Sequence, residues 1–506
     1  MSYYIGIDIG TSGTKSLLMD AEGTILAESS AEYPVHMPKP MWTEQDPEDW
    51  WQATVRTVQG VMRKSKVKAA EVKAIGLSGQ MHGSVFLDSK QRVIRRALLW
   101  NDQRTAAECE EITARAGGRS KLIQMVANPA LTGFTAPKLL WLRNHEPKNY
   151  DRLKHLLLPK DEIRRRLTGE LATEVSDASG MLLLDVVKRG WSRKLLSALE
   201  VDPAILAPVY ESEDVTGTLL PAVARQLGLT EACKVVGGAG DCAAGAVGNG
   251  IVRQGVVTTS LGTSGVVFVH SDLPEYDAAG RLHTFCHAVR GKWHMMGVTL
   301  SAAGSLQWFV TQLCRELISK RGADPFAVIN AEAATVAAGA EGLFFLPYLA
   351  GERTPHADAN ARGCFIGLTN AHHRGHLARA VMEGVAMSLR ESLEIVRGMS
   401  VPIKEIRVSG GGAKSELWKQ ILADVFGQAA CTIQAEQGPA FGVALLAAVG
   451  DGAYKNIEEA CQATIRVEAK LAPQKRQQKT YDAAFPLYQG LYAQLKDSFA
   501  RIASLG

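Results

Sequence analysis

"YYIGIDIGTSGTKSLLMD" at residues 3–20 and "GVVTTSLGTSGVVFVHS" at 255–271 share one layout: a strand, the turn Gly-Thr-Ser-Gly, and a second strand. Aliphatic and β-branched runs on both sides of a glycine-rich turn read as a hairpin. The first hairpin continues through the turn "AEG" at 21–23 into a third strand, "TILAES" at 24–29. Two hairpins built on one turn imply a duplicated architecture, with one α/β unit in each half of the chain. The copies differ at one chemically important position: Asp8 precedes the first turn, and Ser260 stands there in the second.

A length of 506 residues fits two units better than one core. With 46% hydrophobic and 21% charged residues, the composition is that of a globular protein. The net charge of +4 is small, and no basic run is interleaved with aromatics, so a nucleic-acid partner is not expected. The nearest approach, "RRRLTGE" at 164–170, reads as a solvated helix end. Eight cysteines lie at 109, 233, 242, 286, 314, 364, 431 and 461, with neither C-x-x-C nor zinc spacing. They read as small buried thiols in a reducing compartment. The opening residues form a strand without a secretory pattern. The most apolar stretches, such as "GLFFLPYLAG" at 342–351, are too short to span a bilayer. The expectation is a cytoplasmic protein without a membrane partner.

Between the hairpins, "VKAIGLSGQMHGSVFLD" at 72–88 reads as strand, loop, strand, and "APKLLWLRNH" at 136–145 and "KDEIRRRLTG" at 160–169 as helices. The strand "KVVGGAGD" at 234–241 runs into a small-residue helix, "CAAGAVGNG" at 242–250. The domain boundary is placed there, giving residues 1–245 and 246–506. In the second half, "EIRVSGGGAKSELWKQILADVFG" at 405–427 reads as strand, glycine triplet and helix. Apolar residues at 417, 418, 421, 422, 425 and 426 give that helix one buried face. A last helix is expected over about 479–503.

A Gly-Thr-Ser-Gly turn offers successive backbone N–H groups and hydroxyls, and its glycines let a phosphate come close. Two such turns, with Thr11 and Ser12 in one and Gly262 and Thr263 in the other, suggest loops closing on one polyphosphate across a cleft. The usual nucleotide motifs are absent: Lys15 follows Thr14 rather than the glycine of a P-loop. "GAGDCA" at 238–243 approximates a dinucleotide fingerprint but lacks the acid expected further on. Gly410–Gly412, at a strand–helix junction, suits either a flat base or phosphate, or tight packing.

Two longer stretches, "GFTAPKLLWLRNH" at 133–145 and "GCFIGLTNAHHRGHLARAVME" at 363–383, resemble signatures of the FGGY family of carbohydrate kinases. The resemblance runs along essentially the whole chain. It implies an α/β fold of two ribonuclease H-like, actin-related domains with MgATP in the cleft between them. "SGQMHG" at 78–83, "WTEQDPEDWW" at 42–51, "LLWNDQR" at 98–104 and "LPYLAGERTPH" at 346–356 look like the sugar loops of members acting on D-xylulose. Members acting on glycerol usually carry Arg-Glu where Met81-His82 stands. The implied activity is ATP-dependent phosphorylation of D-xylulose at O5, with another pentulose or polyol as the alternative. An actin- or chaperone-like ATP switch is the reading from a different class.

The resemblance also implies roles for residues. Asp241, in "GGAGDCAAGAVG", is the expected catalytic base and sugar contact, with a helix N-cap as the plain alternative. Asp8 is expected to hold Mg2+ and so serve catalysis, with an Asx-type turn as its alternative. Met81 and His82 are expected at the sugar, and Asn101, Asp102 and Arg104 either reach it or brace their loop. For ATP the expected residues are Thr11, Ser12, Lys15, Gly262, Thr263, Gly304, Gln307, Gly411 and Gly412. Lys15 has a solvated strand lysine as its alternative. Two positions depart from the family: Cys242 and Glu416 stand where relatives often have Asn. Dimers occur in the family, so a homodimer is the protein partner the resemblance suggests.

Overall fold

The computed structural model describes residues 1–318, 324–399, 401–433 and 438–505. The opening hairpin and its third strand form at Tyr3–Ile9 (β1), Gly13–Asp20 (β2) and Ile25–Glu32 (β3). Ile5, Ile7 and Ile9 point into one apolar cluster and Tyr4 into another, so β1 is buried on both faces. This is why it reads as a nearly continuous apolar run. Val72–Gly79 (β4) lies parallel to β1. Val215–Thr218 (β5), Lys234–Val236 (β6) and Ala239–Gly240 (β7) complete the sheet, in the order β5-β6-β4-β1-β2-β3 with β7 beside the end of β4.

One face of this sheet carries Pro47–Ser65 (α1), which the Asp46 carboxylate caps by accepting from Glu48 N–H. Trp50, Ala53, Val58 and Val61 of α1 are its buried stripe. The following helices used below are Thr135–His145 (α2), Pro159–Thr168 (α3), Val175–Ser179 (α4) and Asp241–Gly248 (α5).

Gly255–Leu261 (β8), Gly265–Ser271 (β9), His283–Cys286 (β10), Trp293–Thr299 (β11), Ile403–Ser409 (β12), Ala430–Ile433 (β13) and Val467–Leu471 (β14) form a second sheet, ordered β10-β11-β9-β8-β12-β13-β14. In both sheets the first strand of the central hairpin has a parallel neighbour from much later in its unit, β4 beside β1 and β12 beside β8. The expected duplication is therefore observed. Ala303–Trp308 (α6), Arg374–Gly398 (α7) and Glu416–Phe426 (α8) belong to the second unit. In α8, Trp418, Ile421, Leu422, Val425 and Phe426 are buried and Leu417 partly so.

Gly438–Asp451 (α9) follows β13 yet lies on the first sheet, across β1 and β4, and against α5. Three glycines make this approach possible. A Cβ on Gly6 would stand 1.8 Å from Ala440 O, one on Gly76 1.9 Å from Val443 O, and one on Gly442 1.9 Å from Ala244 O. Helix α5 joins the units from the other direction: Ala246 packs with Ile251, Val256 and Phe268 of the second sheet. The chain closes with Lys475–Ala503 (α10), longer at its start than expected.

One expectation is corrected. The end of α3 is not solvated: Arg164 is fully buried, donating to Asp161 Oδ1 at 2.7 Å and to Ala172 O at 2.9 Å. Arg165 and Arg166 pair with Glu162 at 2.8 and 2.7 Å. Acids one turn earlier cancel the basic run, a helical spacing that "KDEIRRR" already contains. All eight cysteines are free thiols, with Cys109, Cys242 and Cys364 partly exposed and the others buried. No described helix is long and apolar enough to cross a membrane.

Candidate active site

Strands β1, β4 and β7 are parallel and end together. Their register sets Asp8 opposite Ser78 and Ser78 opposite Ala239, with Asp241 two residues further on, at the first turn of α5. The two acids thus flank the end of one strand. Oδ1 of Asp8 is buried without a hydrogen-bond partner among the described residues. Burial, and then the charge of Asp241, raise Asp8 to about 7. Asp241 Oδ1 accepts from Cys242 N–H at 2.7 Å, and burial raises this carboxyl to about 6. Asp241 is not the N-cap of α5, which is Gly240, and Asp8 lies inside β1 rather than in an Asx turn. Two buried carboxylates with raised pKa values, one bearing on the other and holding an orphaned oxygen, suit a divalent cation. The residues present therefore fit Mg2+.

The first turn is held from several sides. Gly10 N–H donates to Gly13 O at 3.0 Å, and the Tyr33 hydroxyl donates to Gly10 O at 2.5 Å. Gln45 Nε2 donates to Thr11 O at 2.6 Å, and Trp100 Nε1 to Thr11 Oγ1 at 2.9 Å. Ser12 is exposed at the tip. Lys15 pairs with Glu28 of β3 at 2.9 Å, although its charge still acts on Asp8. Gln45 and Trp100 lie in two of the stretches resembling sugar loops, yet both hold the phosphate turn, and Tyr33 carries no motif at all.

The sugar loop leaves β4 and turns at His82, whose φ is +69°. Its carbonyl is fixed by Lys138 Nζ at 2.8 Å and Thr135 Oγ1 at 3.0 Å, both from α2. Lys138 is fully buried, and burial lowers it to about 7. The His82 ring has Nδ1 2.7 Å from Gly180 O. A carbonyl only accepts, so Nδ1 carries the proton and Nε2 keeps a lone pair. Burial lowers this imidazole to about 3, which makes it neutral. It lies against Phe134, with ring centroids 4.8 Å apart, and near Phe285 at 6.1 Å.

Glycines let Met81 close on the base and His82 close on the end of α4. A Cβ on Gly240 would stand 2.9 Å from Met81 Cγ, and one on Gly180 2.5 Å from His82 Nδ1. Gly240 N–H donates to Ser176 Oγ of α4 at 3.1 Å, and Ser176 Oγ donates to Glu174 at 3.0 Å. Lys160, wholly buried, stands 2.7 Å from Asp161, 3.4 Å from Glu174 and 3.6 Å from Asp177. This buried charge cluster, unremarked in the sequence, supports the turn that carries Asp241. Asp102 and Arg104 brace rather than face the pocket. Asp102 accepts from Thr43 N–H at 2.7 Å and pairs with Arg104, which reaches Glu44 at 2.8 Å and stacks over Trp42. Asn101 accepts from the Thr43 hydroxyl at 2.8 Å.

The second turn is docked on the start of α6. Gly262 O accepts from Ala303 N–H at 2.8 Å, and Thr263 O accepts from Ala302 N–H at 2.8 Å and Gly304 N–H at 3.2 Å. Thr263 itself is exposed. Gly410 backs the turn: a Cβ there would be 3.1 Å from Gly262 N. Gln307, Gly411 and Gly412 line one cavity of about 710 Å³, walled also by Phe326, Asn330 and Trp418. Its size and apolar walls suit a nucleoside. Glu416 stands at its rim with an exposed side chain, paired with Lys419 at 2.6 Å. Cys242, next to Asp241, and Val266, just past this turn, pack on one cluster of Ala246, Ile251, Val256 and Phe268, so both units meet beside the base.

Residues 3–248 match the N-terminal domain, and 257–450 the C-terminal domain, of the FGGY family of carbohydrate kinases. The chain is 40% identical over 497 residues to the xylulose kinase of Bacillus subtilis, covering 98% of each. It is 41% identical over 493 residues to the xylulose kinase of Escherichia coli, covering 97% of this chain and 99% of that one. The crystal structure of a xyloylose kinase from Brucella ovis matches with a TM-score of 0.91 at 34% identity, covering 98% and 99% of the two chains.

Proposed function

The chain belongs to the FGGY family of carbohydrate kinases, and on that premise we propose that it transfers the γ-phosphoryl group of ATP to O5 of D-xylulose, giving D-xylulose 5-phosphate and ADP. The observation carrying this reading is Asp241 brought against the Met81-His82 loop across Gly240, in a chain about 40% identical to two xylulose kinases.

Asp241 as carboxylate accepts the O5 hydroxyl, aims its lone pair at the phosphorus and takes the proton late, because phosphoryl transfer is largely dissociative. A carboxyl raised to about 6 is a stronger base than an ordinary one and is still ionised at neutral pH. His82, neutral with Nε2 bare, accepts a second sugar hydroxyl, and Met81 covers an apolar face of the sugar. Backbone N–H groups and hydroxyls of Thr11, Ser12, Gly262 and Thr263 cradle the phosphates. Gln307, Gly411 and Gly412 receive the adenosine. Asp8 would hold Mg2+, which when bound supplies positive charge to the phosphate oxygens. On this assignment residues 1–245 supply sugar loop, base and first turn, and 246–506 the second turn and nucleoside cavity, with α9 returning to the first sheet.

A coupled ADP-release assay over D-xylulose, other pentuloses and glycerol tests this. ADP release dependent on D-xylulose is expected above the ATP-only background. Turnover confined to another sugar overturns the substrate, and no sugar-dependent turnover overturns the kinase reading.

A further inference from the structure

Arg353 stands between two residues fixed to the end of β11. Glu352 accepts from Thr299 Oγ1 at 2.6 Å and from Leu300 N–H at 3.1 Å. Thr354 N–H donates to Val298 O at 2.9 Å, and its hydroxyl accepts from Val298 N–H at 3.1 Å and donates to Arg281 O at 3.1 Å. Val298 belongs to the apolar cluster that contains Met81, Phe134 and Phe285, and Leu300 and Cys242 pack on it. The segment is therefore clamped onto a wall of the sugar pocket. The Arg353 side chain is partly buried there, and its charge acts on both His82 and His283. His283 in turn stacks on Phe285, with centroids 5.7 Å apart.

Among the described residues the Arg353 guanidinium has no hydrogen bond and no ion pair. Its neighbour Glu352 is occupied by Thr299, Leu300, Ser388 and the Arg353 backbone N–H. A guanidinium partly withdrawn from water with no protein partner keeps its donors available for a ligand that enters the pocket. Its planar donor fork suits an sp² oxygen acceptor.

The other polar groups of the pocket set what is missing. Asp241 as carboxylate and His82 at Nε2 both accept, so both serve hydroxyl groups and neither can donate to a carbonyl. In a 2-ketopentose the O5 hydroxyl is the one that closes the furanose ring onto C2. A sugar with O5 free for phosphorylation is therefore the open-chain ketone, which presents a carbonyl oxygen at C2. Resting on the function proposed above, we propose that Arg353 is a specificity-determining residue that donates to this carbonyl and so selects the open-chain ketose.

Arg353→Gln and Arg353→Lys test it, with D-xylulose compared with D-arabinitol, an alditol lacking the carbonyl, used as substrate or competitive inhibitor. The KM for D-xylulose is expected to rise about 10- to 100-fold in Arg353→Gln, the loss of a charge-assisted hydrogen bond, with partial recovery in Arg353→Lys. The KM for MgATP and the alditol constant should not move. The unaltered enzyme should prefer the ketose to the alditol by a comparable factor, a measurement that needs no variant. Equal losses for ketose and alditol, or no ketose preference in the unaltered enzyme, overturn the proposal. An unchanged D-xylulose KM in an active Arg353→Gln overturns it while leaving the kinase reading intact. Preference of the unaltered enzyme for a sugar acid assigns the charge to a carboxylate and overturns the carbonyl contact. Absence of any ketose turnover by the unaltered enzyme removes both readings.

Discussion

Replacing Asp241 by Asn should slow catalysis steeply and strengthen the fold, with a pH dependence that identifies the cause. The carboxyl is raised from 3.8 to about 6 by burial. About two pKa units at roughly 1.4 kcal/mol each is ~3 kcal/mol acting against the ionised folded state. Because the residue is partly exposed at the cleft, solvent reduces the realised gain to about 1–2 kcal/mol. The sign follows from proton counts: between about 4 and 6 the folded protein holds a proton that the unfolded chain has released. The contribution of Asp241 to stability therefore falls as pH rises through that window and is constant above it. Asn cannot titrate, so the advantage of Asp241→Asn should be small near pH 4.5 and complete by about pH 7.5. Thermal unfolding without nucleotide should show it as about 1 °C per kcal/mol for a chain of 506 residues. In the same variant kcat should fall about 10²- to 10⁴-fold while ATP binding persists. Near-normal turnover would refute the assignment of the base. Equal stabilisation at both pH values, or none at pH 7.5, would refute the electrostatic argument.

Two further outcomes are expected. Asp8→Ala should raise the Mg2+ concentration needed for half-maximal activity, read from a magnesium titration at fixed ATP; an unchanged midpoint assigns the metal elsewhere. Gly442→Ala would set a Cβ 1.9 Å from the Ala244 carbonyl, where helix backbone meets helix backbone and no flexible side chain can yield. A destabilisation of about 3 kcal/mol is expected by thermal unfolding, the upper end for overpacking. Gly398→Ala in α7, where nothing lies within 4 Å, is the neutral control, and equal behaviour of the two variants would sink the close-packing argument.

What the sequence made legible is what local pattern encodes. The hairpins, the glycine triplet before α8 and the acid at the end of β1 all sit where short-range periodicity and turn chemistry put them. The rest depends on partners far along the chain. Lys15 turns to Glu28 because of the β2–β3 register, which no motif states. The tautomer of His82 is set by Gly180, ninety-eight positions away. Trp100 holds Thr11, and Lys160 gathers Asp161, Glu174 and Asp177, contacts that exist only once the first unit has folded. Arg164 is buried rather than solvated because Asp161, one helical turn earlier, pairs with it, a spacing that a basic run alone does not display.

The return of α9 to the first sheet has a consequence for how the protein is made. Tyr4, Leu17, Met19, Ala74 and Val236 form an apolar face that is covered by Ala440–Val449. On a ribosome the sheet strands emerge long before that helix does. The N-terminal unit therefore waits, with one side of its sheet bare, until nearly nine-tenths of the polypeptide has been synthesised. Such a face is a place for chaperone engagement or for misassociation between nascent chains. A gene split near residue 245 would yield one fragment missing its lid and another carrying an apolar helix without its seat.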